Sequence, residues 1–176
     1  MAATGDAGTA WIWNDRTGRL LHRLASPTPT SMNTAVFNSE GTEVLTAAPD
    51  GRASVWNLAT KRRIFSVTLP AGATLNSAMF NPERTEVLAA SDDGTARVWS
   101  IAGAKLHTTF GAPGDGSIVY STFNRSGTEM LTCEEDGLGT LWSTQLAGPV
   151  SAIETIARHR AGVGLTSAQL ISFLAA

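Results

Sequence analysis

The sequence predicts an all-β fold built from repeats, and three observations support that prediction. Aromatic residues recur along most of the 176-residue chain at a constant spacing of 43 residues, which indicates repeated structural units. Each unit holds short apolar runs separated by turn residues, as expected for short antiparallel strands. Only 16% of the residues are charged, against about 25% in a typical soluble domain. So low a charge content favours sheets that are covered on both faces.

The repeat is carried by six columns of residues that keep this spacing without insertions. The columns are Trp13, Trp56, Trp99 and Trp142; Gly8, Gly51, Gly94 and Gly137; Phe37, Phe80 and Phe123; Leu45, Leu88 and Leu131; a Phe-Asn pair at 37–38, 80–81 and 123–124; and a Thr-Glu pair at 42–43, 85–86 and 128–129. A four-stranded unit of about 43 residues is typical of a β-propeller blade. Such a sheet buries both apolar faces only by stacking between neighbours.

The second unit shows how each element is encoded. Its four strands are predicted at residues 32–37, 43–47, 52–56 and 62–67. A turn at 38–41 joins the first two strands, and Asp50-Gly51 joins the second to the third. An Asp-Gly pair favours a tight hairpin, because glycine tolerates positive φ and aspartate can hydrogen-bond its own backbone.

Three stretches that begin with Asp-Gly and end just after a Trp resemble the WD40 repeat. They lie at residues 50–57, 93–100 and 136–143, and the segments that begin with Phe-Asn are similar to the family's link between its first two strands. The resemblance spans about residues 2–147. It implies a WD40-type β-propeller segment at residues 1–147, with about four blade units of which the first and last are incomplete. It also implies structural roles for the four tryptophans and for Asp50, Asp93, Asp136, Gly51, Gly94 and Gly137.

The hydrogen-bonded Trp–Ser–His–Asp network of the WD40 family is incomplete in this sequence. No His occurs in the loops at 26–31, 70–74 and 111–117, and Asn or Ser follows each repeat Trp. The Ser of the second strand is expected at positions that hold Ala47, Ala90 and Cys133. We therefore expect each Asp to cap its own turn and the blades to be held mostly by packing.

Both ends of the chain interrupt the repeat. The chain is expected to start inside a turn at residues 4–8, so that the first blade supplies only two strands. After Pro149 the apolar residues follow helical spacing, which predicts a helical tail at residues 148–176. This tail is similar to the segment that closes WD40 sensor regions in some bacterial multidomain signalling NTPases. Because rings of about six to eight blades are usual, we expect a truncated or split product, or assembly with a second copy or another propeller fragment.

No combination of residues points to catalysis. His22, His107 and His159 show no metal-ligand spacing, and Cys133 is interpreted as a packed thiol. The acidic turns at 92–93 and 134–136 are interpreted as solvated turns, since they lack the ligand count of a calcium loop. The sequence therefore predicts no enzyme, no cofactor and no metal. The alternative is a propeller-based enzyme with a catalytic pocket at the axis.

The leading prediction is a non-catalytic protein–protein interaction scaffold or sensor module that binds a protein or peptide. Candidate contacts are the three variable loops, the extra Trp11, and the basic cluster Lys61, Arg62 and Arg63. Trp11 is expected to share a face with Trp13 and alternatively serves to cover the incomplete first blade. The basic cluster is alternatively a solvated edge that discourages sheet pairing.

The composition also bears on location and excludes several partners. A net charge of -2 argues against nucleic acid, and no apolar run is long enough for a membrane span. The N-terminus shows no secretory signal, and a single cysteine excludes an internal disulfide framework. We therefore expect a cytoplasmic protein.

Overall fold

The computed structural model describes residues 2–5, 8–26, 28–111 and 114–144, which form fourteen strands in four antiparallel sheets and no helix. Sheet 1 comprises β1 (Ala2–Gly5), β2 (Thr9–Trp13) and β3 (Leu20–Ala25); sheet 2 comprises β4 (Thr34–Phe37), β5 (Glu43–Ala47), β6 (Arg52–Asn57) and β7 (Arg62–Thr68); sheet 3 comprises β8 (Leu75–Phe80), β9 (Glu86–Ser91), β10 (Thr95–Ser100) and β11 (Lys105–Gly111); sheet 4 comprises β12 (Ile118–Phe123), β13 (Glu129–Glu134) and β14 (Gly139–Ser143). The all-β prediction is confirmed for these residues. The predicted helical tail at 148–176 lies outside them.

Each complete sheet is a meander whose strands follow chain order, and we call its strands a, b, c and d. The a–b and c–d turns lie at one end of the sheets, which we call the a–b end. The b–c turns and the d–a loops between sheets lie at the other end, the b–c end. Among the described residues there is no helix long and apolar enough to cross a membrane.

Sheet 1 differs from the sequence prediction, because it holds three strands rather than two. Residues Ala2–Gly5 pair antiparallel with β2, from Ala2 opposite Ile12 to Gly5 opposite Thr9. This pairing occupies backbone N–H and C=O groups of β2 that would otherwise lie at a sheet edge. The Ala-Ala-Thr-Gly segment has no alternation of apolar and polar side chains, so its strand is set by backbone pairing.

The a–b turns are all built around one repeated asparagine. In sheet 3 the Oδ1 atom of Asn81 accepts hydrogen bonds from the backbone N–H of Thr85 and Glu86, both at 2.9 Å. Its Nδ2 donates to the Thr85 hydroxyl at 3.1 Å. Asn38 and Asn124 bind the Thr-Glu pairs of their own turns in the same way. These bonds explain why the Phe-Asn and Thr-Glu pairs recur together in the sequence.

The four sheets stack face to face in chain order, with an apolar cluster between each pair of neighbours. Trp56 packs against sheet 1, Trp99 against sheet 2 and Trp142 against sheet 3. The largest fully buried apolar side chains are Ile12, Val44, Leu45, Val55, Leu75, Val87, Leu88, Met130 and Leu131. Burial of a side chain of this size contributes about 1.5–3 kcal/mol, so the stacked faces supply much of the stability.

Two asparagines also tie the a strands of neighbouring sheets together. Asn33 donates through Nδ2 to the carbonyl oxygen of Leu75 at 3.1 Å, and Asn76 donates in the same way to that of Ile118 at 3.0 Å. The equivalent residue of sheet 4 is Val119, which is 42% exposed. The ties hold β4, β8 and β12 side by side, and these strands form one concave wall.

Candidate functional site

The a strands of sheets 2, 3 and 4 line a cleft of about 480 Å³. This volume falls within the range of about 300–1,000 Å³ that is typical of ligand sites. The cleft extends to the a–b end and is lined by Thr34, Val36, Phe37, Asn38, Ser39, Ser77, Ala78, Met79, Phe80, Asn81, Pro82, Tyr120, Ser121, Phe123, Asn124 and Arg125. Thr34, Ser77 and Tyr120 occupy equivalent positions of the repeat, so each sheet contributes a different side chain to the wall.

The cleft combines an apolar wall with a single charge. Val36, Met79 and Tyr120 are partly or largely accessible, and Tyr120 is 53% exposed. The three asparagine side chains are occupied by their turns. Of the described residues in the lining, only Arg125 carries a charge, and none carries a carboxylate, imidazole or thiol. The wall therefore offers contacts for binding but no acid–base pair.

The repeat aspartates lie at the b–c end, where each accepts a hydrogen bond from its own turn. Asp50 Oδ1 accepts from the N–H of Arg52 at 3.1 Å, and Asp136 Oδ1 accepts from that of Leu138 at 2.9 Å. Asp50 also accepts a 2.6 Å bond from the hydroxyl of Thr28, in the loop before sheet 2. A threonine thus contacts the turn aspartate from the loop in which the WD40 family often carries a histidine.

The tryptophan network differs from the sequence expectation. Trp56 donates through Nε1 to the hydroxyl of Thr46 at 3.0 Å, and Trp142 donates to that of Thr132 at 2.9 Å. The hydroxyl therefore lies one residue before the positions we had assigned, Ala47 and Cys133. Ala89 occupies the equivalent position of sheet 3, and this interruption hides the threonine column in the sequence.

The b–c end is acidic. Within the described ranges, its carboxylates belong to Asp50, Asp92, Asp93, Asp115, Glu134, Glu135 and Asp136. Arg97 bonds Asp93 at 2.8 Å. Burial would raise the pKa of Asp93, but hydrogen bonds from Arg97 and Thr95 and the charge of Arg97 outweigh it and hold this pKa below its usual value. Burial, followed by the charges of Asp136 and Asp115, raises the pKa of Glu134.

The extra Trp11 lies on the same face of β2 as Trp13. The two rings are stacked with centroids 6.2 Å apart and an angle of 24° between their planes. The guanidinium carbon of Arg23 lies 5.1 Å from the Trp11 ring centroid. Both tryptophans are partly exposed, whereas Trp56 and Trp99 are at most 9% exposed.

The basic cluster lies at the start of β7 and is exposed throughout. Lys61 adopts a left-handed backbone conformation with a φ of 59° that ends the c–d turn. Arg63 lies opposite Trp56, and its guanidinium carbon is 5.9 Å from that ring centroid. The three side chains are therefore not equivalent, because Arg63 covers a core tryptophan while Lys61 and Arg62 face solvent.

His22, His107 and Cys133 lie on three different sheets. His107 Nδ1 lies 2.5 Å from Glu86 Oε1 on an exposed face, and His22 lies on β3. His159 lies outside the described residues. Cys133 is partly buried on β13, and burial raises the pKa of its thiol. No three His, Cys, Asp or Glu residues within the described ranges are grouped so as to hold a metal ion.

Sequence comparison identifies one repeat. Residues 64–100 match the family model of the WD domain, G-beta repeat. The match runs from β7, the d strand of sheet 2, through strands a, b and c of sheet 3. No curated protein matches the chain. The four stacked sheets are consistent with WD40 blades, and WD40 repeats generally form non-catalytic modules for protein–protein interaction.

Proposed function

We propose that this protein is a non-catalytic interaction module of WD40 type, which binds protein or peptide partners through the turns and loops at the ends of its sheets. The observation that carries the proposal is that the loops between the stacked sheets differ in sequence, although the sheets themselves follow one repeat. Six columns of residues in the strands and tight turns keep the spacing of 43, whereas the loops at 26–31, 70–74 and 111–117 differ in composition. A rigid scaffold that presents variable loops is the usual arrangement of a binding surface.

Exchange of the loops tests this proposal. A variant in which all three loops carry a Gly-Ser sequence of equal length is expected to lose the partners that the unmodified chain captures from cells of its source organism. A matched control changes exposed residues of a d strand, Lys105→Ser and Leu106→Ser, and is expected to retain those partners. Equal recovery of the same partners by the loop variant would exclude the loops as the contact surface.

A second part of the proposal concerns assembly. Trp11 and Trp13 are partly exposed on the face of sheet 1 that is equivalent to the faces by which sheets 2 and 3 pack against their predecessors. We propose that another blade covers this face, either from a second copy or from a complementary propeller fragment. Size-exclusion chromatography with light scattering tests it. Self-association that Trp11→Ser weakens is expected, since Ser54 is the equivalent residue of sheet 2; a monomer at all concentrations would exclude the second copy.

The cellular setting is also a proposal. The similarity of residues 156–166 to the closing segment of bacterial WD40 sensor regions supports a role in cytoplasmic signalling as part of a larger or multi-chain propeller. The net charge of -2 supports a partner other than nucleic acid, and the shortness of the apolar runs supports a role away from the membrane. Fractionation of cells that express the tagged chain tests the location, and recovery with the membrane pellet would contradict it.

A further inference from the structure

We propose that the cleft formed by β4, β8 and β12 binds an extended acidic peptide segment, with an apolar side chain against Tyr120 and Met79 and a carboxylate at Arg125. This inference rests on the proposed function as an interaction module. It assigns a second surface, at the a–b end, whereas the variable loops lie at the b–c end.

The strand topology favours an extended peptide as the occupant. The a strands β4, β8 and β12 are each the edge of their sheet and line the cleft together. An edge strand presents backbone N–H and C=O groups that an extended segment can pair with. On β12 the N–H groups of Ser121 and Phe123 already bond Ser77 Oγ at 3.2 Å and Met79 Sδ at 3.4 Å, so the pairing falls to the other backbone groups of these edges. The volume of about 480 Å³ accommodates a short segment rather than a folded surface.

The apolar part of the cleft selects a hydrophobic side chain. Tyr120 is 53% exposed, although its equivalents in sheets 2 and 3 are the small polar residues Thr34 and Ser77. Met79 adds a thioether to the same lining; its Sδ accepts the N–H of Phe123 at 3.4 Å, and its terminal methyl group can adapt to an incoming side chain. Tyrosine is enriched among the residues that dominate binding energies, because it buries a large ring at little cost in conformational entropy.

The charges around the cleft select an acidic group. At the a–b turns Arg84 forms an ion pair with Glu40, which neutralises both. Arg125 is exposed and forms no ion pair with any described residue, and its equivalents are Ser39 and Pro82. The carboxylates of Glu43, Glu86 and Glu129 lie 3.3 Å from the Nδ2 atoms of the turn asparagines. Glu83 lies next to Pro82 of the lining. An unpaired arginine beside an apolar wall favours a carboxylate, which it can hold by two parallel hydrogen bonds.

A buried hydroxyl supports a ligand with a hydrogen-bonding backbone. Ser121 lies in the wall and is 2% exposed, and its Oγ has no hydrogen-bond partner among the described residues. The equivalent residues are Ala35 and Ala78, so the hydroxyl is specific to sheet 4. Buried hydroxyls nearly always have a partner, and a peptide N–H in the cleft would supply one after rotation of the serine side chain.

Fluorescence anisotropy with three fluorescein-labelled peptides tests the inference on the full chain. The probes are Glu-Leu-Glu-Phe-Glu, its Gln-Leu-Gln-Phe-Gln analogue, and Glu-Ser-Glu-Ser-Glu. The first is expected to bind at least about tenfold more tightly than either analogue, since each analogue lacks one of the two contacts. Raising the salt concentration from about 50 mM to about 500 mM is expected to weaken its binding, because the Arg125 contact is screened.

Three variants complete the test. Arg125→Ser and Tyr120→Thr install the residues of sheet 2 at equivalent positions, and each is expected to weaken binding of the first peptide about five- to tenfold. Arg19→Ser removes an exposed arginine just before β3 of sheet 1, a sheet that contributes no residue to the cleft lining, and is expected to leave binding unchanged. Circular dichroism and the melting temperature establish whether each variant is folded. If Tyr120→Thr does not fold, the salt dependence and the Arg125→Ser variant test the cleft assignment.

The outcomes separate this inference from the proposed function. Equal binding of all three peptides, or binding that neither Arg125→Ser nor Tyr120→Thr weakens, would overturn the cleft assignment, as would no binding at all. The variant with exchanged loops is expected to keep its affinity for the first peptide. Partner capture that depends on the loops would therefore leave the proposed function standing even where the cleft assignment fails.

Discussion

The indole N–H of Trp56 donates to the hydroxyl of Thr46 on the neighbouring strand, with 3.0 Å between Nε1 and Oγ1. Thr46 lies 3.3 Å from the carbonyl oxygen of Ser54, to which it donates in turn. Both side chains are buried, and the bond fixes the indole ring in the apolar cluster between sheets 1 and 2. The pair Trp142 and Thr132 repeats this arrangement in sheet 4.

Loss of this hydroxyl is expected to destabilise the protein. Thr46→Val keeps the shape of the side chain but leaves the buried indole N–H without its acceptor, so we expect the free energy of unfolding to fall by about 1–2 kcal/mol. Urea denaturation measures it. Thr68→Val, at the exposed end of β7, is the control and is expected to stay within about 0.5 kcal/mol of the unmodified protein. Equal changes in the free energy of unfolding for the two variants would show that the bond from Trp56 to Thr46 does not stabilise the protein.

The turn asparagines are expected to contribute to the stability of the fold. Asn81→Ala removes the acceptor of the Thr85 and Glu86 N–H groups and should lower the free energy of unfolding by about 1–3 kcal/mol. Asn81→Asp retains the acceptor of both N–H groups but replaces Nδ2, which lies 3.3 Å from Glu86 Oε2, by a carboxylate oxygen. A smaller loss is expected, because the two retained hydrogen bonds outweigh the repulsion between two partly solvated carboxylates. Chemical denaturation of both variants checks the order, and an alanine variant as stable as the unmodified protein would contradict it.

Two glycines with similar backbones form a matched pair. Gly51 has a φ of 78°, and a Cβ there would lie 2.9 Å from the carbonyl oxygen of Ala73. Gly41 has a φ of 68°, with no atom within 4 Å of such a Cβ. Gly41→Ala incurs only backbone strain of about 1 kcal/mol, whereas Gly51→Ala adds a clash and should cost at least about 1 kcal/mol more. Calorimetric melting of the two variants measures the difference, and equal melting temperatures would rule out the clash.

Asp93 is expected to make stability depend on acid pH. Because its pKa is lowered in the folded protein, its ionised form contributes stability above the unfolded pKa of about 3.9, and this contribution is lost as the pH falls through the lower folded pKa. The stability difference between the unmodified protein and Asp93→Asn should therefore be largest above about pH 5 and shrink toward pH 3.

Arg97→Met provides the companion measurement for Asp93. It removes the cation that bonds Asp93 at 2.8 Å and should reduce the same acid dependence. Denaturant titrations across this pH range, performed on both variants, give the comparison. An Asp93→Asn variant whose deficit stays constant with pH would be inconsistent with the lowered pKa.

Ser121→Ala is expected to move stability and binding in opposite directions. It removes a buried hydroxyl that has no hydrogen-bond partner within the described part of the chain, so the free energy of unfolding should rise by up to about 1 kcal/mol. It also removes the group assigned to the peptide backbone, so affinity for the acidic apolar peptide should fall about threefold. Thermal melting and anisotropy on the same samples give both values. A variant that is less stable would show that Ser121 is structurally satisfied.

Much of the architecture follows from the sequence, because the spacing of 43 residues and the Asp-Gly turns are local signals. The strand β1 was not predicted, because it is held by backbone hydrogen bonds to β2 and its side chains show no strand pattern. The Thr46 and Thr132 partners were missed because Ala89 interrupts their column. The cleft could not be predicted, because it forms only when the sheets stack. In the sequence, Thr34, Ser77 and Tyr120 are merely three different residues at equivalent positions of the repeat.

The amide ties from Asn33 to Leu75 and from Asn76 to Ile118 have a mechanical consequence. They join the a strands of three sheets at the wall of the cleft, so a tilt of one sheet changes the curvature that its neighbours present. A peptide bound along β4, β8 and β12, as proposed above, would contact all three sheets at once. The affinity of the cleft for this peptide would therefore report how closely the three sheets pack against one another.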